Sequence, residues 1–367
     1  MKILSVVFNS LDTDSRVQRS SDALTEIGDV TLIGIGNEYN NDNVNSIALN
    51  IKSRHNLLRY FEFIFKTKKI MKQIDYDLFF ANDFYCAELV LWAKRRNKKL
   101  KIVYDAHELY IPYKGQRLNS RFKFFYRKEK MAINIADLVL CANQDRAKIM
   151  KEYYGLNSDP IAIRNISKLP RTDNTICKKH ENETDSFFKQ PGITLVYAGV
   201  LSSTRRIESL IEILEKKPDT KLLIIGEGSH RAYLEQIARP LGSRVLFTGT
   251  IPYVNLSVLL SRCDIGYLYY PTDILNNIYC APNKIYEYSS VRLPMISNAN
   301  PTLEKILNNN SIGISSDDLF SAFTTVSKNL DKYKSGCDVF NIENQWKDEK
   351  VKLINCIRRL NDNYGQI

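Results

Sequence analysis

The clearest chemical pattern lies in the second half of the chain, where two apolar runs each end in a glycine. Gly199 closes the first run and is followed by Arg205, while Gly226 and Glu227 close the second. Glycine lets the backbone approach a ligand closely, and a guanidinium beside a helix N-terminus binds diphosphate oxygens. This order predicts a diphosphate site, with a plain glycine turn and a surface arginine as the alternative. The letters do not fit G-x-G-x-x-G, which disfavours an ordinary dinucleotide site.

A third segment, Ala281 to Tyr288, places a cation and a carboxylate one helical turn apart. Pro282 suits the first position of a helix, and Asn283 and Lys284 follow it in the first turn. The N–H groups and the positive end of such a helix suit phosphate oxygens. Glu287 is spaced to accept hydrogen bonds from ribose hydroxyls. A capped helix with a surface glutamate explains the same segment without a ligand.

Apolar runs that alternate with stretches of helical spacing supply the scaffold for these residues. The predicted strands are 2–8, 30–35, 77–81, 101–105, 138–142, 161–164, 194–198, 221–226, 244–248, 264–269 and 294–297. Near-continuous apolar strands between helices indicate parallel sheets covered on both faces. We therefore predict an α/β protein with two doubly wound Rossmann-like domains that face a central cleft.

The predicted boundaries follow from a change in composition. The predicted domains are 1–165 and 193–340, and the polar, aperiodic stretch 166–192 is the linker between them. The remainder, 341–367, has helical spacing after Asn344 and lies beyond the last predicted strand. We expect that helix to cross back onto the first domain.

Polar side chains gather at the predicted strand ends of the first domain. His107 and Glu108 follow the strand that ends in Asp105, and Asn82 and Asp83 follow another strand. Open α/β sheets bind ligands at the carboxyl ends of their strands, so these residues are predicted to face the cleft. A structural histidine at a strand end, and N-capping by Asn82 or Asp83, are the alternatives.

No metal site is predicted. The stretch Ser10 to Asp14 spells D-x-D, but two aspartates after a first strand are more often a helix cap and a solvated charge. The four histidines are too far apart for a local cluster, and the seven cysteines are scattered and predicted to be reduced core thiols.

The charge of the chain points to an anionic partner. Lysine and arginine number 52 against 41 aspartates and glutamates, a net charge of +11, and the part up to Arg164 holds 27 against 19, or +8 of it. The segments Arg117 to Lys128 and Leu57 to Met71 interleave cations with aromatics, which suits an anionic membrane surface. Core aromatics with a solvated basic face are the alternative. Nucleic acid is not predicted, because no recognition motif accompanies them.

No apolar run approaches the roughly 20 residues of a membrane-spanning helix, and the first residues lack the pattern of a signal peptide. We therefore expect a cytoplasmic protein, with a peripheral position at the inner face of the membrane as an option.

The ordered set of motifs resembles the GT-B glycosyltransferases, and glycosyltransferase family 4 in particular. The donor-domain motifs are Y-x-G-x-L-x-x-x-R, I-I-G-E-G, F-x-G, P-N-K-I-Y-E-Y and L-P-M-I. The acceptor-domain landmarks are the stretches from Asp14 through Arg16 to Arg19, from Ala81 to Asp83 and from Tyr104 to Leu109, with Trp346 opening the final helix.

The resemblance implies a metal-independent, retaining transfer of a hexose-type sugar from a nucleotide diphosphate, with UDP favoured, to a hydroxyl acceptor. It implies that Arg205 and Lys284 clamp the diphosphate, that Glu287 holds the ribose, and that His107 lies beside the donor sugar. Two positions depart from the family, since Tyr279 replaces its first glutamate and Val200 a basic residue. Asn277 is the candidate for the sugar hydroxyls, and Arg206 for the second clamp cation.

The acceptor predicted from these features is a lipid-linked or surface-polysaccharide intermediate. Two other functions stay open at this point: a sugar-nucleotide epimerase of the same fold, and a non-catalytic nucleotide-sugar-binding or assembly protein.

Overall fold

The computed structural model describes residues 1–113, 120–170 and 178–362, which fold as two units. Unit 1 runs from Met1 to Asn165 and includes the C-terminal stretch from Trp346, and unit 2 runs from Ile166 to Gln345.

Each unit contains one parallel sheet with helices between its strands. The strands are β1 Lys2–Ser10, β2 Asp29–Ile35, β3 Val44–Leu49, β4 Leu78–Asn82, β5 Lys101–Ala106, β6 Leu138–Cys141, β7 Ile161–Ala162, β8 Ile193–Ala198, β9 Thr220–Ile225, β10 Val245–Gly249, β11 Ile265–Leu268, β12 Met295–Ser297 and β13 Gly313–Ser315. The helices are α1 Ser15–Leu24, α2 Asn56–Met71, α3 Ala87–Arg96, α4 Ser120–Ile135, α5 Gln144–Tyr154, α6 Lys178–Lys189, α7 Glu208–Lys216, α8 Arg231–Ala238, α9 Tyr253–Leu260, α10 Leu275–Ile278, α11 Asn283–Ser290, α12 Pro301–Asn309, α13 Leu319–Lys328, α14 Leu330–Glu343 and α15 Trp346–Asp362.

The strand orders are those of two doubly wound sheets. Unit 1 has the order β3-β2-β1-β4-β5-β6-β7, and unit 2 has the order β10-β9-β8-β11-β12-β13. Every residue of β4 and of β9 is buried, as expected for strands covered on both faces. The prediction of two doubly wound Rossmann-like sheets is confirmed. In each sheet the carboxyl ends of the strands lie along one edge, and the loops there carry most of the residues singled out from the sequence.

The last helix packs into unit 1. Leu353 and Ile357 of α15 are buried in the same core cluster as residues of β1, β2 and β4. Glu349 accepts hydrogen bonds from the backbone N–H of Arg164 at 3.0 Å and from its Nε at 2.7 Å. An ion pair and an apolar face therefore hold α15 against the sheet that the first 165 residues build.

The prediction of a linker over 166–192 is wrong in its second half. Helix α6 occupies Lys178–Lys189, and Phe187 is buried in the core of unit 2. The ammonium of Lys221, on β9, donates to the carbonyls of Phe187 and Gln190, which ties the end of α6 to the sheet. The charged composition of α6 hides the helical pattern in the sequence.

Two strands and several helices escaped prediction. Strands β3 and β13 lie at the edges of their sheets, where one side of a strand has no neighbour and a short or polar sequence is tolerated. Their sequences, VNSIAL and GIS, have no continuous apolar run.

Candidate functional site

Two glycine loops of unit 2 are interlocked at the carboxyl edge of its sheet. Gly226 follows β9 with φ of 134°, and a Cβ built there would lie 1.9 Å from the carbonyl oxygen of Gly199, which follows β8. Only glycine avoids that clash. The N–H of Gly199 donates to the carbonyl of Ile225 at 2.9 Å, and the N–H of Leu201 donates to the carbonyl of Glu227 at 2.9 Å. The loop that leads to Arg205 is thereby fixed against its neighbour.

Arg205 is anchored by the end of the adjacent strand. Its Nη1 donates to the carbonyl of Tyr269 at 2.9 Å, and its guanidinium carbon lies 4.5 Å from the ring centroid of Tyr270. No carboxylate pairs with it among the residues that the structure describes. The guanidinium is held in place with its charge uncompensated, which suits an anionic ligand.

Arg206, the alternative clamp cation, is placed differently. It has a left-handed backbone with φ of 48°, and its Nε lies 3.3 Å from Glu208 Oε1. Val200, at the family's basic position, is exposed. Arg205 is therefore the cation of this loop without a carboxylate beside it.

Helix α11 brings together the cation and the carboxylate that the sequence assigned to different parts of the donor. The helix begins at Asn283, one residue later than predicted. Pro282 is therefore its N-cap and not its first helical residue. Lys284 Nζ lies 2.6 Å from Glu287 Oε2. Glu287 Oε1 accepts from Ser167 Oγ at 3.4 Å and from Tyr253 OH at 3.3 Å, and these two hydroxyls lie 2.8 Å apart.

Glu287 is only 5% exposed, so its charge is both buried and compensated. A ribose could bind there by replacing the hydroxyl of Ser167 or of Tyr253. Neither residue was found from the sequence. Tyr253 could have been found, because it is the first residue of the helix that follows β10. Ser167 lies in the stretch predicted as the linker, and no pattern around it indicated a site.

Two other predicted donor residues use their side chains within the protein. Glu227 forms an ion pair with Arg231, four residues later. Asn277 Nδ2 donates to Asp273 Oδ1 at 2.9 Å, and its carbonyl accepts from Asn300 Nδ2 at 2.9 Å. The ion pair holds the loop that follows β9, and the bonds of Asn277 hold the segment before α11.

His230 contacts the loop that leads to Arg205 and was not singled out from the sequence. Its backbone N–H donates to the carbonyl of Leu201 at 3.0 Å, within the loop that leads to Arg205. Its Nε2 lies 3.7 Å from Glu208 Oε2, and both atoms are buried without a hydrogen-bond partner. Its position shortly after the glycine turn that follows β9 is the feature of the sequence that could have indicated it.

In unit 1, Arg16 and Asp105 form a buried bidentate pair. Arg16 Nε and Nη2 donate to the two carboxylate oxygens at 2.9 and 2.6 Å, and Nη1 donates to the carbonyl of Ile163 at 3.0 Å. Burial opposes ionisation of Asp105, but the charges of Arg16 and His107 outweigh it and hold the pKa of Asp105 well below its usual range. The pair joins α1 to the carboxyl end of β5.

His107 lies beside that pair. Its Nε2 is 3.4 Å from Asp105 Oδ2, an ion-pair contact without hydrogen-bond geometry, so the buried nitrogen still lacks a hydrogen-bond partner. Burial disfavours the imidazolium, but Asp105 outweighs burial and raises the pKa of His107 above its ordinary value. The contact with Asp105 therefore favours the charged form of an imidazole at the carboxyl edge of the unit 1 sheet.

Asp83 is the strained residue of this cluster. It has φ of 65° and ψ of 172°, a region that is populated almost only by glycine. Its N–H donates to the carbonyl of Asp105 at 2.8 Å, while its own Oδ1 is buried without a hydrogen-bond partner. Burial raises the pKa of Asp83, and the nearby His107 charge opposes that shift. Strain at a buried, unsatisfied carboxylate is typical of a functional position.

The remaining acceptor-side candidates are dispersed. Asn82 is fully buried and its Nδ2 donates to Ser5 Oγ at 2.9 Å and the carbonyl of Val6 at 3.1 Å, which ties β4 to β1. Glu108 is about half exposed, 3.6 Å from Arg146 Nη2.

Asp14 is the N-cap of α1 and accepts from the N–H of Val17 at 3.1 Å, so the interpretation as a helix cap is confirmed. Asp12 accepts from Ser10 and Asn37 at the surface. No group of three or more metal-ligating side chains is placed to hold an ion among the described residues.

Comparison with known proteins agrees with this arrangement. The sequence model of Glycosyltransferase Family 4 matches residues 28–164, and that of Glycosyl transferases group 1 matches residues 178–319. The chain is a GT-B glycosyltransferase of the family 4 type.

Among curated proteins, this GT-B chain is 26% identical over 184 residues to the O-antigen biosynthesis glycosyltransferase WbnH of Escherichia coli. That alignment covers 48% of this chain and 48% of WbnH, so the chain matches about half the length of that relative.

Two solved structures share its fold over nearly their whole length. Sucrose-phosphate synthase from Thermosynechococcus elongatus has a TM-score of 0.73 at 16% identity, with 99% of this chain and 100% of that chain covered. HepE from Anabaena, solved in complex with UDP-glucose, has a TM-score of 0.68 at 14% identity, with 98% and 100% covered.

Proposed function

We propose that this GT-B protein transfers a sugar from a nucleotide diphosphate, UDP for preference, to a hydroxyl of a glycan acceptor, with retention and without a metal ion. The single observation that carries the proposal is Arg205, a guanidinium anchored by Tyr269 and Tyr270 at the strand edge with no carboxylate paired to it among the described residues. UDP is favoured because HepE, a relative in fold, was solved with UDP-glucose.

The donor side supplies positive charge where the reaction creates negative charge. When the glycosidic bond to the nucleotide breaks, the diphosphate leaves as an anion. Arg205, Lys284 and the positive end of α11 stabilise that anion, and preorganised groups of this kind are worth about 2.7–4 kcal/mol each. These cations perform the task for which other transferases use a metal ion. Chelation by EDTA should therefore leave the rate unchanged.

The stereochemical proposal is a front-face reaction. The departing diphosphate accepts the proton of the acceptor hydroxyl, which attacks from the same face, so configuration is retained. Glu287 is committed to Lys284 and to two hydroxyls, and is not free to act as a nucleophile. The configuration of the product, determined by NMR on the newly formed bond, tests this proposal directly.

The acceptor side is assigned to unit 1. His107, whose charged form Asp105 favours, provides a hydrogen-bond donor for sugar hydroxyls, and Asp83 provides an acceptor for a hydroxyl of the acceptor other than the attacking one, whose proton goes to the diphosphate. Arg16 holds Asp105 in place by a bidentate pair, and Asp105 in turn favours the charged form of His107. A lipid-linked or surface-polysaccharide acceptor is supported by the likeness to WbnH, an O-antigen biosynthesis glycosyltransferase.

A peripheral position at the cytoplasmic face of a membrane is part of the same proposal. None of the described helices has both the length and the apolar character needed to cross a bilayer. Helix α2 exposes Leu58, Phe61 and Phe65, which share one face because they are three and four residues apart. The basic segment predicted from Arg117 to Lys128 is described only in part. Arg117 lies outside the described residues, and so does the side chain of Arg121.

The proposed function is tested by binding and turnover together. A thermal-shift panel of UDP-, GDP- and dTDP-sugars identifies the donor, and product formation is then followed with a glycan acceptor. Binding with transfer supports the proposal. Binding without transfer or donor hydrolysis indicates a binding protein, and interconversion of the donor sugar without an acceptor indicates an epimerase.

A further inference from the structure

Unit 1 contains a groove made of two adjoining pockets at the carboxyl ends of β1, β2 and β3, beside α2. The first, which we call the aromatic pocket, has a volume of about 450 Å³ and is walled by Phe8, Tyr60, Tyr85 and Phe125. The second, the polar pocket, has a volume of about 520 Å³ and includes Ser10, Gly36 and Asn50. The sequence analysis assigned Tyr60 and Phe125 to the segments predicted for a membrane surface, and it did not predict this groove.

Arg59 stands where the pockets meet and lines both of them. It is partly buried, and no carboxylate pairs with it among the described residues. Its neighbour Glu62 is already paired with Lys66 at 2.7 Å. A partly desolvated guanidinium with unused donors is a site for an anion, and phosphate matches its fork geometry.

The rings of the aromatic pocket are packed edge to face, so they present a continuous and rigid surface. Phe8 and Tyr85 have centroids 5.3 Å apart at 70°, and Tyr60 and Phe125 have centroids 4.9 Å apart at 82°. The C–H face of a pyranose packs against such rings, and the tyrosine hydroxyls offer hydrogen bonds to its oxygens.

Tyr85 connects the groove to the strained aspartate along the chain. Tyr85, which walls the aromatic pocket, lies two residues after Asp83. Arg59 lines the same pocket and continues into the polar pocket. A ligand that fits this order has its sugar ring on the aromatic wall and an anion on Arg59.

We propose that the groove binds the acceptor as a glycosyl phosphate or diphosphate, with the sugar in the aromatic pocket and the phosphate on Arg59. This inference rests on the proposed function and names its acceptor class. The anion would extend into the polar pocket, where Ser10 and Asn50 offer further polar contacts. Leu58, the neighbour of Arg59, belongs to the exposed apolar face of α2, along which a lipid attached to the phosphate would run.

A protection experiment tests the site without any assay of activity. Phenylglyoxal modifies accessible guanidinium groups, and mass spectrometry of the Arg59 peptide measures the rate. The probes are glucose 1-phosphate, galactose 1-phosphate and inorganic diphosphate, with methyl glucoside and methyl galactoside as neutral controls. UDP is present throughout so that Arg205 is covered. Arg54 and Arg127, both exposed, are the internal controls.

We expect diphosphate and at least one sugar phosphate to slow modification of Arg59 at least fivefold, while Arg54 and Arg127 change less than twofold. Equal protection of all three arginines, or equal protection by the neutral glycosides, would overturn the proposal. A further arm distinguishes the source of the phosphate. Protection by vesicles that contain a phosphomonoester lipid indicates a lipid-linked acceptor, and protection by soluble sugar phosphates alone indicates a soluble one.

Kinetics provide the second test, with Arg59→Gln and the matched control Lys69→Gln on the exposed side of the same helix. On a phosphate-bearing acceptor, Arg59→Gln should raise KM about tenfold with kcat within twofold, while Lys69→Gln should match the wild type. On a phosphate-free alkyl glycoside, Arg59→Gln should raise KM much less, by no more than about twofold, because the lost contact is the one to the phosphate. An equal rise in KM on both acceptors would overturn the assignment of Arg59 to the phosphate. If the wild type binds UDP and the sugar phosphates protect its Arg59, but no sugar is transferred, the proposed function fails while the anion site stands.

Discussion

Lys284 Nζ lies 2.6 Å from Glu287 Oε2, so the cation expected at the diphosphate and the carboxylate expected at the ribose are paired with each other. The pair spans one turn at the start of α11. A bound donor would compete with Glu287 for the ammonium of Lys284 and with Lys284 for the carboxylate of Glu287. Substitution of either side chain therefore changes the surroundings of the other. The effects of substituting them should therefore be coupled.

Substitution of Lys284 by Ala and of Glu287 by Gln should give non-additive losses of UDP affinity. Lys284→Ala leaves a buried carboxylate uncompensated, and Glu287→Gln frees the ammonium, so the double variant should bind UDP more tightly than the sum predicts. The coupling energy should lie at about 0.5–3 kcal/mol, the range for residues in contact. Calorimetry on the four proteins measures it. Additivity to within about 0.5 kcal/mol would mean that the donor separates the pair completely.

Replacing Asp83 should separate stability from activity. Asp83→Gly relieves a backbone conformation that costs a residue with a side chain about 1–3 kcal/mol, whereas Asp83→Ala retains the strain without the carboxylate. The glycine variant should therefore be the more stable of the two, while both lose most of the transfer rate and keep their affinity for UDP. Thermal unfolding and acceptor kinetics check this. Equal stability of the two variants would contradict the strain, and normal transfer would remove Asp83 from the acceptor side.

The transfer rate should fall as the pH rises through the pKa of His107. Asp105 raises that pKa above 6.5, and Asp83 favours the same charged form while Arg16 opposes it. If the imidazolium binds the sugar, kcat declines on the alkaline side, and His107→Gln has a low rate without that decline. UDP affinity should be unchanged, because the residue belongs to the acceptor unit. A variant with the same pH profile as the wild type would assign His107 to structure only.

Much of the local structure of the candidate donor site was predictable because it depends on residues close together in the chain. The glycines after β8 and β9, the helix at Asn283 and the one-turn spacing to Glu287 are local patterns. The sheets were predictable for the same reason, since a central parallel strand such as β9 is apolar along its whole length.

What escaped prediction depends on neighbours distant in sequence. Ser167 reaches Glu287 only after the chain has folded back over 120 residues. The backbone of Asp83 is strained because the adjacent strand and Asp105 hold it, and no local letter signals that. Arg59 is one of many cations in the sequence, and only its lack of a carboxylate neighbour in the fold distinguishes it.

A buried carboxyl that the proposed mechanism does not use should set part of the pH dependence of stability. Glu129 accepts from Tyr104 OH at 3.1 Å and Tyr154 OH at 3.3 Å, and burial together with the Asp83 charge raises its pKa to about 8. The unfolded chain ionises Glu129 near pH 4.5, so this residue lowers the stability progressively from about pH 4.5 to pH 8.

Glu129→Gln should therefore stabilise unit 1 at pH 8 and have little effect at pH 4. Glu88→Gln is the matched control of opposite sign. Burial opposes ionisation of Glu88, but Lys128 and Lys68 outweigh it and lower its pKa, so its charge stabilises the fold above pH 4.5. Thermal unfolding at the two pH values should show Tm rising for Glu129→Gln and falling for Glu88→Gln at pH 8. A fall in Tm for both would mean that Glu129 is ionised in the folded protein.

The membrane proposal is refined by the packing of α4 on α2. Lys128 forms an ion pair with Glu88 and is not available to lipid, whereas Lys123 and Arg127 are exposed. Phe125 packs on Tyr60 with centroids 4.9 Å apart, so it belongs to the fold, while Phe124 is about half exposed. The surface to be tested therefore consists of the exposed aromatics of α2 and α4 and the cations beside them.

We expect the protein to bind vesicles that contain anionic lipid at low salt and to be released by high salt, in a sedimentation assay. Each cation near the leaflet contributes about 1 kcal/mol, so Lys123→Glu with Arg127→Glu should weaken binding by more than tenfold. Phe61→Ser with Phe65→Ser should weaken it without changing the salt dependence, because it removes apolar burial of about 1.5–3 kcal/mol per side chain at most. Val339→Ser with Ile342→Ser, which changes two exposed apolar residues of α14 in unit 2, is the matched control and should bind like the wild type. A wild-type protein that stays in the supernatant with anionic vesicles at low salt would show that the acceptor is reached from solution and that the exposed face of α2 has another partner.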